Sequence, residues 1–332
     1  MAREHAKLPQ PMLAPNDCPD LGNIPYPILA SSKLDGVRFL IFDGKMLSRK
    51  MEPLHPATVK RFQPVIDWAA ESNICVDGEI WSPNLKFNQI QSALAHPSPN
   101  DGLKLYVFDI LPIDEWYSQK SWKEKDAGEY LTPFSQRHEQ YVQWCKGKDS
   151  PRQFLVPVEQ HRCLDKGQVM AQMRVAREQN GEGLMLKAPD SFYVHSRTTA
   201  KQNIFWKLKF WNEVNAKIVG FKQGKTLTEE ARENNTERNA LGSLKRGHRK
   251  GDREEVDKVG SVEVEVTSGQ IFPAGTRCFV GFTEEAYSLR TEITWENKER
   301  FLGKHVDIVF QEHGSKNKPR MGRIVRLRQD LD

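Results

Sequence analysis

No apolar run of about 18 residues occurs in the 332-residue chain, so no segment has the pattern of a membrane-spanning helix. The opening stretch, MAREHAKLPQ, lacks the apolar core of a secretion signal, and a cytoplasmic location is expected. Cysteine is scarce as well. Cys18, Cys75, Cys145, Cys163 and Cys278 are scattered, with no two at zinc-ligand spacing, which suits ordinary thiols in a reducing compartment. A large excess of one charge is also missing. The 49 basic and 44 acidic residues leave +5, which by itself is weak support for a polyanionic partner. No internal repeat is found. What remains is a polar-surfaced chain, 38% hydrophobic and 28% charged, long enough for two domains with buried cores.

Short strand-like runs fill the first two thirds: RFLIF, ICVDGEIW, KLYVFDIL, GLMLKA and IFWKLKF. Helical patterns fall singly between them, over residues 56–72 and 166–180. Without a regular βαβ alternation, this reads as an α+β domain on antiparallel sheets. After Lys209 the texture changes to five short strands, VNAKIVGF, GSVEVEVTSG, RCFVGF, KHVDIVFQEH and GRIVRLR, with a helix-like piece between the third and fourth. That count suits an OB-fold β-barrel domain, a fold that binds nucleic acids, or another small all-β domain. The boundary is expected near residue 211, giving domains 1–211 and 212–332. A long polar insertion separates the first two of these strands. Within it, LKRGHRKGDR (244–253) carries Lys245, Arg246, Arg249, Lys250 and Arg253 against Asp252 alone. Contact with a phosphate backbone and a solvated loop fit that stretch equally well.

The stretch KLDGVR places Lys33, Asp35 and Arg38 in six residues between two apolar runs. On those residues alone, a β-turn at Asp-Gly with a surface lysine is the better reading. The other reading is chemical. A lysine attacks only when deprotonated, and its ordinary pKa is about 10.4. Burial and nearby cations lower that value, so a lysine held beside an arginine suits attack on a phosphate.

KLDGVR also matches K-x-D-G-x-R, the signature of covalent nucleotidyltransferases, and companion motifs follow in family order. LSR (47–49) resembles the short Ser-Arg motif, VDGEIW (76–81) the D-G-E motif, and YVFDIL (106–111) the aromatic motif before an Asp. EGLMLK (182–187) resembles E-G-x-x-x-K, and WKLK (206–209) the paired-lysine motif. The chain thus resembles the nucleotidyltransferase superfamily of DNA ligases, RNA ligases and capping enzymes. Within it, the chain is most similar to small two-domain ATP-dependent DNA ligases of the viral, bacteriophage type. YVFDIL, FSQRHEQ (134–140), the lack of a zinc cluster and the C-terminal segment support that choice. A GTP-using mRNA guanylyltransferase and an RNA ligase are the alternatives.

The resemblance implies a role for each matching residue. Lys33 would attack the α-phosphate of ATP and carry AMP. Lys207 and Lys209 would neutralise that phosphate, and Lys187 is a further candidate for nucleotide contact. Glu79 would accept hydrogen bonds from the ribose, and Arg38 would approach the ribose and the nick phosphate. Arg49 would sit near the phosphates, Phe108 would stack on the purine, and Ser32 and Leu34 would touch the base through the main chain. Glu182, with Glu79, would help hold magnesium. The last ligase motif, R-x-D-K-like, meets Arg328 and Asp330, but Leu331 stands where its lysine would be. Arg328 would orient the departing pyrophosphate, with Arg323 or Arg326 sharing the role; a basic strand touching DNA is the other reading. The implied partner is nicked double-stranded DNA, with no membrane, no obligate protein partner and a monomeric chain.

Overall fold

A computed structural model of the chain describes residues 10–15, 19–98, 100–118, 131–179, 181–234, 251–267, 272–284, 286–311 and 319–328. They divide into two compact units, one reaching Lys209 and the other starting at Phe210.

The first unit begins β1 (Ile28–Ser32), β2 (Val37–Phe42), β3 (Lys45–Ser48), α1 (Pro56–Arg61), α2 (Gln63–Glu71) and β4 (Ile74–Trp81). It continues with α3 (Phe87–Ala95), β5 (Lys104–Pro112), α4 (Ile113–Ser118), α5 (Phe134–Lys146), β6 (Leu155–Pro157) and β7 (His161–Cys163). It closes with α6 (Lys166–Glu178), β8 (Gly183–Lys187) and β9 (Phe205–Lys209). Two sheets result, ordered β7-β1-β8-β9 and β3-β2-β4-β5-β6. Pairing is antiparallel except for β5 with β6, which run parallel because the chain returns through α4 and α5. The apolar alternation of β2 and β4 buries Phe39, Ile41, Val76 and Ile80 in the main core of this unit, with Phe62, Val65 and Ile66 of the helical segment. That segment, expected as one helix over 56–72, breaks at Phe62. Pro64 is the reason, since its ring and missing N–H oppose helix across the residues before it.

The second unit holds β10 (Trp211–Leu227), α7 (Glu229–Asn234), β11 (Arg253–Val266), β12 (Arg277–Phe282), α8 (Tyr287–Glu292), β13 (His305–Gln311) and β14 (Arg320–Leu327). Its five strands close into a barrel in the order β10-β11-β12-β14-β13, consistent with the OB-type expectation. The alternation in β11 sends Val262, Val264 and Val266 inward to meet Ile218, Ile308 and Ile324. Where one helix is expected after the third strand, α8 ends at Glu292 and a short 3-10 turn follows at Lys298–Phe301. Asn297 accounts for the stop: its Nδ2 donates to the Glu292 carbonyl at 2.8 Å, and its Oδ1 accepts from the Thr294 N–H at 2.9 Å.

Candidate active site

KLDGVR is not a hairpin turn. β1 pairs with β7 and β8, whereas β2 pairs with β3 and β4, so residues 33–36 carry the chain from one sheet to the other. Gly36 makes the crossing possible, because a Cβ there would run into the Ile80 carbonyl and the Glu79 side chain of β4. The crossing lines a cleft of about 460 Å³ in the first unit.

Lys33 follows the end of β1, and its N–H donates to the Gly183 carbonyl at 2.9 Å. Gly183 has φ 137°, and a Cβ on it would collide with the Leu208 carbonyl. This lets β8 start tightly against β9, opposite Lys209. As a result Glu182 reaches two lysines. Its Oε2 accepts from Lys33 Nζ and its Oε1 from Lys209 Nζ, the latter at 2.6 Å. Burial raises the Glu182 pKa, but Lys33 and Lys209 outweigh it and hold the carboxylate below its ordinary value. Lys207 and Lys209 alternate with buried Leu208, which puts both on the less buried face of β9.

Arg38 pairs in register with Glu79, and its guanidinium forks onto Asp77, with Nε and Nη2 each donating at 2.6 Å. Tyr193 donates to the same carboxylate at 2.6 Å. The guanidinium carbon lies 4.4 Å from the centroid of the Phe108 ring. Phe108 falls where the β4–β5 register slips, between the Asp77–Asp109 and Gly78–Val107 pairs. Such a bulge re-aims a side chain. Burial pushes the Glu79 carboxyl up to about 7, against the pull of Arg38 and Lys33.

Beneath the cleft, Asp109 is wholly buried and accepts from Arg137 at 2.8 and 3.1 Å and from Lys187 Nζ at 2.9 Å. Burial lowers the Lys187 pKa, against the pull of Asp109. The Lys187 amine also lies 3.9 Å from the Phe134 ring centroid.

Residues 11–209 match the family model for the ATP dependent DNA ligase domain. The chain belongs to the ATP-dependent DNA ligase family. The match favours this over a capping enzyme or an RNA ligase. Among curated proteins no sequence match is found. Solved structures agree on the fold. One described as Pmar-Lig_PreS3 superposes with a TM-score of 0.64 at 21% identity, covering 96% of this chain and 67% of that one. A Lig E DNA ligase, studied as a minimal DNA-binding scaffold, gives 0.59 at 19% identity, covering 91% and 92%.

The ligase cleft gathers Ser32, Lys33, Leu34, Arg38, Arg49, Glu79, Phe108, Lys187, Lys207 and Lys209 from stretches far apart in sequence. Glu182 sits behind Lys33 and Lys209 rather than among the lining residues. Arg328 belongs to the second unit, 3.4 Å from the Asp307 carboxylate, which Arg326 also engages at 2.6 Å. Arg253 opens β11 in the same unit. Lys245, Arg246, Arg249, Lys250 and Asp330 lie outside the described residues. Motif reading passed over Asp77 and Asp109, although both stand inside quoted motifs. It also missed Gln160 and Arg197, cleft-lining residues in irregular stretches with no local signal.

Among the described residues no three His, Cys, Asp or Glu side chains gather as a metal cage. Magnesium needs no such cage, since one or two carboxylates suffice when phosphate oxygens and water complete its shell. Glu79 fits that demand: it lines the cleft, and a cation beside it would favour the ionised form that burial disfavours. Glu182, with a lysine on each oxygen, fits a contact through water.

Proposed function

We propose that this ligase seals nicks through Lys33. Once deprotonated, the Lys33 amine attacks the α-phosphorus of ATP; a P–N bond forms and the bond to pyrophosphate breaks. AMP then passes to the 5′-phosphate of a nick, and the 3′-hydroxyl displaces it. The observation carrying this reading is the meeting of Lys33, Glu182 and Lys209 where the two sheets face each other across the cleft.

Lys207 and Lys209 offset charge on the α-phosphate. Glu79 and Arg38 hold the ribose, Arg49 attends the phosphates, and Phe108 offers the purine the face that Arg38 does not cover. Ser32 and Leu34 meet the base through the main chain, Lys187 supports the pocket from Asp109, and Arg328 has the role of orienting the departing pyrophosphate. Magnesium held by Glu79, and by Glu182 through water, supplies charge compensation on the phosphates. The ligase acts as a monomer on nicked duplex DNA.

Incubation with labelled ATP or GTP followed by denaturing electrophoresis tests the proposal. Label is expected from ATP alone, and Lys33→Ala should abolish it. Lys33→Arg should fail too, because a guanidinium stays protonated. Label persisting on Lys33→Ala would place the nucleophile elsewhere.

A further inference from the structure

Arg38 is held by more than its fork onto Asp77. Nη2, which donates to Asp77 Oδ2 at 2.6 Å, also donates to the Met12 carbonyl at 3.1 Å. Met12 gives its own N–H to the Tyr193 hydroxyl at 3.1 Å, and that hydroxyl donates to Asp77 Oδ2 at 2.6 Å. Arg38, Met12, Tyr193 and Asp77 therefore close a ring of hydrogen bonds, and Met12, Tyr193 and Asp77 are all buried. Met12 is itself tied in place, because residues 10–14 run beside residues 196–198. The Ser196 N–H donates to the Gln10 carbonyl at 2.8 Å, the Leu13 N–H to the Ser196 carbonyl at 2.9 Å, and the Thr198 N–H to the Leu13 carbonyl at 2.8 Å. Leu13 and Ala14 of this strap line the cleft.

The ring decides what Arg38 can offer a ligand. Asp77 takes the N–H of Nε, and Asp77 and Met12 together take both N–H groups of Nη2. Phe108 covers one face of the guanidinium. Among the described residues nothing accepts from Nη1, so that nitrogen, with two donors, is the one turned over to the cleft. A fork onto one carboxylate fixes a guanidinium only as firmly as the carboxylate is fixed. Tyr193 supplies that firmness twice, by pinning Asp77 Oδ2 and by anchoring the Met12 peptide whose carbonyl meets Nη2.

We infer that Tyr193 is a positioning residue for this ligase: with the Met12 main chain it closes two edges of the Arg38 guanidinium and presents Nη1 alone to an oxygen of the bound nucleotide. Tyr193 touches no substrate and acts only through Arg38. This rests on the proposed binding of ATP in the cleft.

The test is a double-mutant cycle on the full chain, read by single-turnover self-adenylation with labelled ATP, which measures slow variants too. Tyr193→Phe removes only the hydroxyl and keeps the ring packed against Trp116, 5.4 Å away between centroids. It should lower kcat/KM for ATP about fivefold. In the Arg38→Lys background, where the ring is already open, the same substitution should change kcat/KM by less than about twofold. Equal fold losses in the two backgrounds would make Tyr193 a support of the fold at large and overturn the inference. An unchanged kcat/KM in Tyr193→Phe alone would overturn it too, whatever the variant does to the thermal melt. Failure of the wild-type chain to take label from ATP would instead sink the parent proposal.

Discussion

Asp77 grips Arg38 through two 2.6 Å hydrogen bonds, and that grip lays the guanidinium over the Phe108 ring at 4.4 Å. Arg38→Lys keeps the charge but loses both the fork and the flat stacking face. Unfolding stability should fall by about 1–3 kcal/mol, read from a thermal or urea melt. Self-adenylation should slow together with it. Wild-type behaviour in both assays would show that the fork is dispensable.

Glu182→Gln removes the carboxylate charge shared by Lys33 and Lys209. Folding should stay near normal, since the amide keeps the shape. Adenylyl transfer should slow, and its response to magnesium concentration should shift. A magnesium titration that overlays the wild-type curve would reduce Glu182 to a structural residue.

Asp109→Asn leaves Arg137 and Lys187 as buried cations without their counter-charge. Stripping one member from a buried ion network costs about 3–5 kcal/mol, far more than the network adds over apolar packing. Urea denaturation should show a loss of that size. A midpoint close to wild type would mean that water reaches this site.

Asp101 accepts from Nη1 and Nη2 of Arg61 at 2.6 and 2.7 Å and from the backbone N–H groups of Ser98 and Leu103. Burial raises its pKa, but the Arg61 and backbone hydrogen bonds outweigh it and bring it below the ordinary 3.8. Its stabilisation is therefore complete above about pH 3.8 and is lost as pH falls through the lower folded value. Asp101→Asn should cost about 2 kcal/mol at neutral pH, with the gap to wild type closing only in strong acid. A gap independent of pH would assign the cost to packing instead.

Replacing Lys245, Arg246, Arg249 and Lys250 by Ser should weaken binding to nicked duplex. Each lost phosphate contact should flatten the salt dependence by about one unit of slope. Self-adenylation needs no DNA and should be untouched. Unaltered salt dependence would leave these residues as a solvated stretch.

Much of this ligase was legible in its sequence. Strand alternation announced the barrel through Val262, Val264 and Val266, and the ordered motifs announced the ligase family and singled out Lys33 for its proposed role, because both are written in short, local spacings. Other features were beyond local reading. Asp-Gly at 35–36 looks like a hairpin turn until the pairing of β1 and β2 with different strands shows it crossing between sheets. No local pattern pairs Glu182 with Lys33, onto which β8 brings it from 149 residues along the chain. Tyr193 meets Asp77 across 116 residues, and Gln160 reaches the cleft from an unpatterned link between β6 and β7. The sequence by itself determined which segments became strands and which residue types stood ready to meet a phosphate. Only the tertiary structure decided which charge faces which, because side-chain partners so far apart are chosen by sheet order and register, and no local period encodes either.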